Sequence, residues 1–149
     1  MIQDSSYFLP GNRNGVLLVH GLTGTPNEMR ILAKGLHQAG FTVYAMQLAG
    51  HCGDEADLCQ TTWHDWYASV QEAAQFLKQK VDCLFVAGLS MGALLALKLA
   101  ADQPELVKGV GVYGVTFSYD GWSIPFWQNN LLCYYLFLKN FIYFRKPHL

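Results

Sequence analysis

The pentapeptide Gly88-Leu89-Ser90-Met91-Gly92 carries the residue types that nucleophilic chemistry needs, at the spacing that would deliver it. The apolar run Cys83 to Ala87 precedes it and reads as a buried parallel strand. An Ala- and Leu-rich segment follows at once and reads as a helix. Strand, sharp turn and helix around G-x-S-x-G are the context of a nucleophile elbow. Ser90 must then take a strained backbone conformation that stands its hydroxyl at the top of the sheet. Gly88 and Gly92 let neighbouring backbone approach that closely. The helix after Ser90 aims its N–H groups, and the positive end of its dipole, at the point where an oxyanion would develop. Ser90 is the candidate nucleophile. The plainer alternative is a tight turn whose serine only caps the helix.

The elements that must hold this turn are legible on both sides of it. Residues 1 to 14 are polar and turn-rich, a lead-in with at most one weak strand. Gly15 to His20 is a buried-strand run that stops at Gly21-Leu22-Thr23-Gly24. Thr25, Pro26 and Glu28 spell a capped helix start, with Thr25 and Glu28 placed for a capping box. Met29, Leu32, Leu36 and Ala39 follow at roughly helical spacing, and Gly40 supplies the stop. Phe41 to Leu48 is the next strand, and Ala49 to Thr61 reads as a loop with an acidic cluster, Asp54, Glu55 and Asp57. From Thr62 to Lys80 the apolar positions Trp66, Val70, Ala73 and Leu77 mark an amphipathic helix. Asp82 to Ala87 and Val107 to Val115 complete four strands. Their alternation with helices predicts an α/β fold of βαβ units, a parallel sheet in a three-layer α/β/α arrangement.

Composition narrows the function classes. With 149 residues, 52% hydrophobic and 14% charged, the chain can bury one substantial core. A net charge of -1 argues against a nucleic-acid partner. Cys52, Cys59, Cys83 and Cys133 show no metal-ligand spacing, and no cofactor signature stands. Gly109-Val110-Gly111-Val112-Tyr113-Gly114 formally matches a dinucleotide fingerprint, but its glycines fall inside a strand and no helix opens after them. The first residues lack a basic and apolar leader, and no run is long enough to span a bilayer. A cytoplasmic chain with reduced thiols is expected.

Three motifs in order, His20-Gly21-Leu22-Thr23-Gly24, Gly50-His51-Cys52-Gly53 and Gly88-Leu89-Ser90-Met91-Gly92, resemble the α/β-hydrolase superfamily. Within it, they are most similar to microbial carboxylesterases and monoacylglycerol lipases, bordering on serine aminopeptidase-type sequences. The resemblance implies acyl transfer from a small-molecule acyl ester, with Ser90 forming an acyl-enzyme that water hydrolyses. It implies the backbone N–H groups of Leu22 and Met91 as oxyanion donors. It makes His20 a loop-shaping residue rather than the base, with Gly21, Gly88 and Gly92 as support. His51 is read as loop-ordering, in a motif where Cys52 replaces the usual glycine. His37 and His64 read as helix-surface residues. The implied strand order is second, first, third, fourth.

A serine triad in this fold needs an acid and then a histidine after the nucleophile. The carboxylates after Ser90 are Asp102, Glu105 and Asp120, and the histidine is His148. Asp102 and Glu105 fall at the far end of the elbow helix, Asp120 comes early, and His148 is penultimate. The expectation is therefore a core over residues 1–119, an aromatic-rich partial lid over 120–149, and a chain cut before its acid and base. A non-catalytic module that binds an apolar acyl ligand or a partner chain is the alternative; a membrane-surface protein using the aromatic tail is a third. An uncovered edge at Val107–Val115 predicts self-association.

Overall fold

The computed structural model of the chain describes residues 3–115. Its strands are β1 (Tyr7–Leu9), β2 (Asn14–Val19), β3 (Thr42–Met46), β4 (Cys83–Leu89) and β5 (Val107–Tyr113), and they form one sheet in the order β1-β3-β2-β4-β5. The pairs β2–β3, β2–β4 and β4–β5 are parallel, which places the four expected strands in the expected order. The lead-in supplies β1, a three-residue strand antiparallel to β3. The segment 120–149, read as a partial lid, lies outside the described residues.

Strand β2 is buried from Gly15 to Val19 because both of its faces are covered. Val16 and Leu18 pack with Met29, Ala33, Val43, Ala45 and Ala87 on one face. Gly15 shares the opposite face with Leu17 and Val19 by the two-residue period of a strand. A β-carbon on Gly15 would meet Leu77 and Val81, so that face lies under the third helix.

The helices are α1 (Arg30–Gln38), α2 (Glu55–Cys59), α3 (Trp63–Lys78) and α4 (Met91–Asp102), and a 3-10 turn over Pro26–Met29 leads into α1. Thr25 stands at the cap position but makes no side-chain capping bond. The tighter turn joins the Glu28 N–H to the Thr25 carbonyl at 3.0 Å, and the Glu28 carboxylate lies against Gly24 instead of reaching back. Ala33 is buried on α1 whereas Ala39 is exposed, being the cap residue where the helix ends; Gly40, at φ +94°, turns the chain out of it. The acidic loop contains α2, whose start is a capping box between Asp54 and Asp57. Thr62 and Asp65 cap α3 in the same way, and Trp66, Val70, Ala73 and Leu77 form its buried stripe. Among the described residues, no helix is long and apolar enough to cross a membrane.

This topology sets where chemistry is placed. The crossover from β2 to β3 runs toward one edge of the sheet, and the crossover from β3 to β4 runs back past β2. Right-handed connections then put α1 on one face and α3 and α4 on the other. The direction of winding changes between β2 and β4, and the crevice beyond their C-terminal ends is where open α/β sheets bind ligands. His20 and Ser90 each directly follow one of these two strands.

Candidate active site

Ser90 joins β4 to α4 with φ 54° and ψ −117°, a region that L side chains rarely occupy. Neighbouring elements hold it there. The Ser90 N–H donates to the Tyr113 carbonyl at 2.8 Å, and the Ser90 carbonyl accepts from Ala93 N–H at 3.0 Å. Its hydroxyl makes no capping bond to α4, although Ser90 stands at the cap position. Two glycines make the turn sterically feasible: a β-carbon on Gly88 would strike the backbone of Gly92 and Ala93, and one on Gly92 would strike the carbonyls of Val19 and His20. The N–H of Met91 is at the first position of α4, where no intrahelical acceptor exists.

Beside Ser90 runs the turn after β2. Gly24 N–H donates to the Gly21 carbonyl at 3.1 Å, closing a tight turn with Thr23 at φ 60°. Ser90 Cβ lies 3.6 Å from the position a β-carbon on Gly21 would take, so the two turns touch. His20 is fully buried behind them. Its Nδ1 is 2.9 Å from the Gly21 carbonyl, and the Leu48 N–H donates to its Nε2 at 3.2 Å. The second bond leaves only one tautomer, with the proton on Nδ1 and donated to Gly21. Burial, with a smaller contribution from His51, pushes its pKa down to about 4 against the opposing pull of the Gly21 bond. A neutral imidazole with both nitrogens engaged is a brace and has no lone pair for a serine proton. Because C=O and N–H of a trans peptide point in opposite directions, fixing the Gly21 carbonyl fixes the Leu22 N–H to point away from His20.

His51 is buried against His20, ring centroids 5.1 Å apart, and against Trp66 at 5.5 Å. Its Nδ1 is 2.9 Å from the Ala49 carbonyl, its backbone N–H donates to the Leu48 carbonyl, and its Nε2 has no partner among the described residues. Burial lowers its pKa, opposed by the Ala49 bond and by the charge of Glu28. Cys52 follows at φ 66°. Thr23, Cys52 and Ser90 are the non-glycine residues with positive φ among those described, and they follow β2, β3 and β4 at one end of the sheet.

Other titratable candidates lie away from this end. Asp102 is the last residue of α4, about 16 Å along the helix from Met91. It accepts from the Tyr67 hydroxyl at 2.6 Å and from Lys98 at 2.9 Å. Glu105, His37 and His64 are exposed, the last stacked on Trp63. Asp120 and His148 lie outside the described residues. Glu28, read from the sequence only as a capping residue, lies against the turn after β2: its carboxylate is over Gly24 and 4.0 Å from the β-carbon position of Gly21. The available signal was Gly24 itself, four residues earlier, whose missing side chain leaves room above the turn. Among the described residues, no cluster of ligands that could hold a metal ion occurs.

Comparison with known proteins shows which proteins this chain is similar to. Residues 10–134 match the family model described as serine aminopeptidase, S33. A thermostable monoacylglycerol lipase of Bacillus sp. strain H-257 is 51% identical over 92 residues, which are 62% of this chain and 37% of that protein. A carboxylesterase of Bacillus subtilis strain 168 is 31% identical over 111 residues, 74% of this chain and 44% of that protein. A solved structure from a study of two metagenome-derived lipolytic enzymes, LipS and LipT, superposes with a TM-score of 0.74 at 36% identity, covering 78% of this chain and 47% of that one. The chain thus spans less than half the length of each of these relatives.

Proposed function

We propose that this chain, which belongs to the serine aminopeptidase (S33) family of α/β hydrolases, carries the nucleophile half of a carboxylic ester hydrolase. The observation that supports this reading best is Ser90: a serine held at φ 54° and ψ −117° whose hydroxyl does not cap the helix it precedes. In this reading Ser90 Oγ attacks the ester carbonyl, and the N–H groups of Leu22 and Met91 receive the oxyanion. Collapse expels the alcohol and leaves an acyl-enzyme, which water then hydrolyses. The names of the Bacillus relatives favour carboxylic esters over peptides.

Ser90 must hand its proton to a base. His20 is spent as a brace, so the reading assigns the base and its acid to the part of such hydrolases that this chain does not span. The aromatic-rich segment 120–149 is read as part of a cover for an apolar acyl group, and the protein as cytoplasmic.

The test is ester turnover and fluorophosphonate labelling by residues 1–149, alone and supplemented. Removing a triad base costs about six orders of magnitude, so the chain alone should show negligible turnover and little labelling. Fusing or adding the C-terminal half of a relative should restore both, and Ser90→Ala should abolish them. Robust Ser90-dependent turnover without the addition would overturn the division of labour and point to His51 or His148 as base.

A further inference from the structure

Among the described residues, β1 pairs only with β3 and forms one edge of the sheet. Tyr7 and Leu9 pack from β1 against the core on the α1 side and stay half-buried. Between them and the start of α1 lies a cleft of about 470 Å³, within the usual range of small-molecule sites. Thr25, Asn27, Arg30 and Lys34 form its other wall, and its surface is mostly apolar.

Two cations stand on that wall. Arg30 and Lys34 are four residues apart on α1, so they share a face at a spacing of about 6 Å along the helix axis. Among the described residues neither makes an ion pair, and no acidic side chain lines the cleft. Arg30 donates to the Asn27 side chain at 3.3 Å, a bond that engages one edge of its guanidinium fork. The Tyr7 hydroxyl donates to the Pro26 carbonyl at 3.2 Å, which fixes its ring as part of the floor. Burial raises the Tyr7 pKa and the Arg30 charge opposes that rise, so the field of the guanidinium reaches this floor. An apolar floor beside unpaired cations complements an anionic head on an apolar body.

We propose that this cleft binds a fatty carboxylate, its head on Arg30 and Lys34 and its chain along Tyr7 and Leu9. Ser90, Leu22 and Met91 do not line it, so it is a second site. The choice of a carboxylate rests on the acyl-transfer reading, whose reaction releases such an acid; the shape and charge of the cleft do not.

The experiment titrates isotope-labelled protein of residues 1–149 with decanoate, decanol and acetate, each kept below micelle-forming concentrations. Amide signals of Tyr7, Leu9, Thr25 and Lys34 report on the cleft, and those of Leu22 and Met91 on the acyl-transfer site. Decanoate should saturate the cleft signals and bind there at least about fivefold more tightly than decanol, as two solvent-exposed ion pairs can supply. Acetate, which lacks the chain, should not saturate them at the same concentrations. In the double variant Arg30→Gln, Lys34→Gln the preference over decanol should fall below about twofold. Both side chains are exposed, and unchanged signals elsewhere verify that the variant is folded. Equal binding of decanoate and decanol, acetate matching decanoate, or a preference undiminished in the variant overturns the proposal. Cleft signals that decanoate leaves unmoved overturn it too, and shifts confined to Leu22 and Met91 would leave the acyl-transfer reading standing. Failure of the supplemented turnover assay would remove that reading without touching the cleft.

Discussion

The imidazole of His20 accepts the amide proton of Leu48 at 3.2 Å, across 28 residues of sequence, and so ties the turn after β2 to the chain leaving β3. That bond forbids a proton on Nε2 in the folded state. The folded pKa, about 4, therefore lies below the ordinary histidine value of 6.5, and the unfolded chain takes up its proton first as pH falls. Stability is complete above pH 6.5 and declines as pH falls from 6.5 to 4. At about 1.4 kcal/mol per unit the loss is about 3 kcal/mol from His20, and burial of His51 acts in the same direction. Urea unfolding at a series of pH values should show this slope. His20→Gln, which cannot titrate, should flatten it by about one proton, and an unchanged slope would show that His20 is not the group responsible.

Glycine substitutions should separate steric need from mere absence of a side chain. Gly88→Ala and Gly92→Ala drive a methyl group into backbone atoms on the neighbouring segment, and each should cost more than about 3 kcal/mol. Gly35→Ala, inside α1 with nothing within 4 Å of the new carbon, should stabilise by about 0.5–1 kcal/mol. Thermal or urea unfolding ranks the three. A Gly88→Ala protein as stable as wild type would contradict the packing of β4 against α4.

At the far end of α4, Tyr67, Lys98 and Asp102 make a small network, with Lys98 also 4.9 Å from the Tyr67 ring centre. Burial alone would raise the Asp102 pKa, but the Tyr67 hydroxyl and Lys98 outweigh it and hold the carboxyl below its ordinary value. Tyr67→Phe should cost about 1 kcal/mol, below the usual range for a bond to a charged group, because Asp102 is partly exposed. Its depressed pKa makes that contribution complete above the ordinary carboxylate range and lost in stronger acid. The difference between Tyr67→Phe and wild type, measured by denaturant unfolding, should therefore shrink as acid protonates Asp102.

Strand β5 pairs with β4 on one side and, among the described residues, with no strand on the other. It exposes Val110, Val112 and Tyr113 at 36%, 43% and 45%. Such an edge invites another strand. Residues 1–149 in isolation should self-associate as concentration rises, and Val112→Lys should reduce this. Light scattering decides, and a monodisperse monomer at high concentration would count against it.

Much of the fold was legible because its signals are local. The runs behind β2, β3, β4 and β5, and the stripe Trp66, Val70, Ala73 and Leu77, announce strands and an amphipathic helix without reference to distant residues. What sequence left hidden depends on long-range pairing. The lead-in was legible as at most one weak strand, but its place was not: β1 lies where Tyr7, Phe8 and Leu9 find Ala45, Tyr44 and Val43 on β3. Helix α2 hid among acidic residues because its Asp54–Asp57 capping box looks like a solvated loop. At the site, Ser90 and its glycines announce themselves by type and spacing. The tautomer of His20 requires Leu48, and the position of Glu28 follows from a 3-10 turn that no periodicity marks.

The positive φ of Thr23, Cys52 and Ser90 sets heat resistance against reactivity. Each such residue in a glycine-favoured conformation costs on the order of 1 kcal/mol or more, and glycine would relieve it. Ser90→Gly should therefore yield a protein that melts higher than its parent while losing the hydroxyl on which the proposed chemistry depends. A laboratory selection for heat resistance alone, with no test of activity, would discard that hydroxyl among its earliest gains.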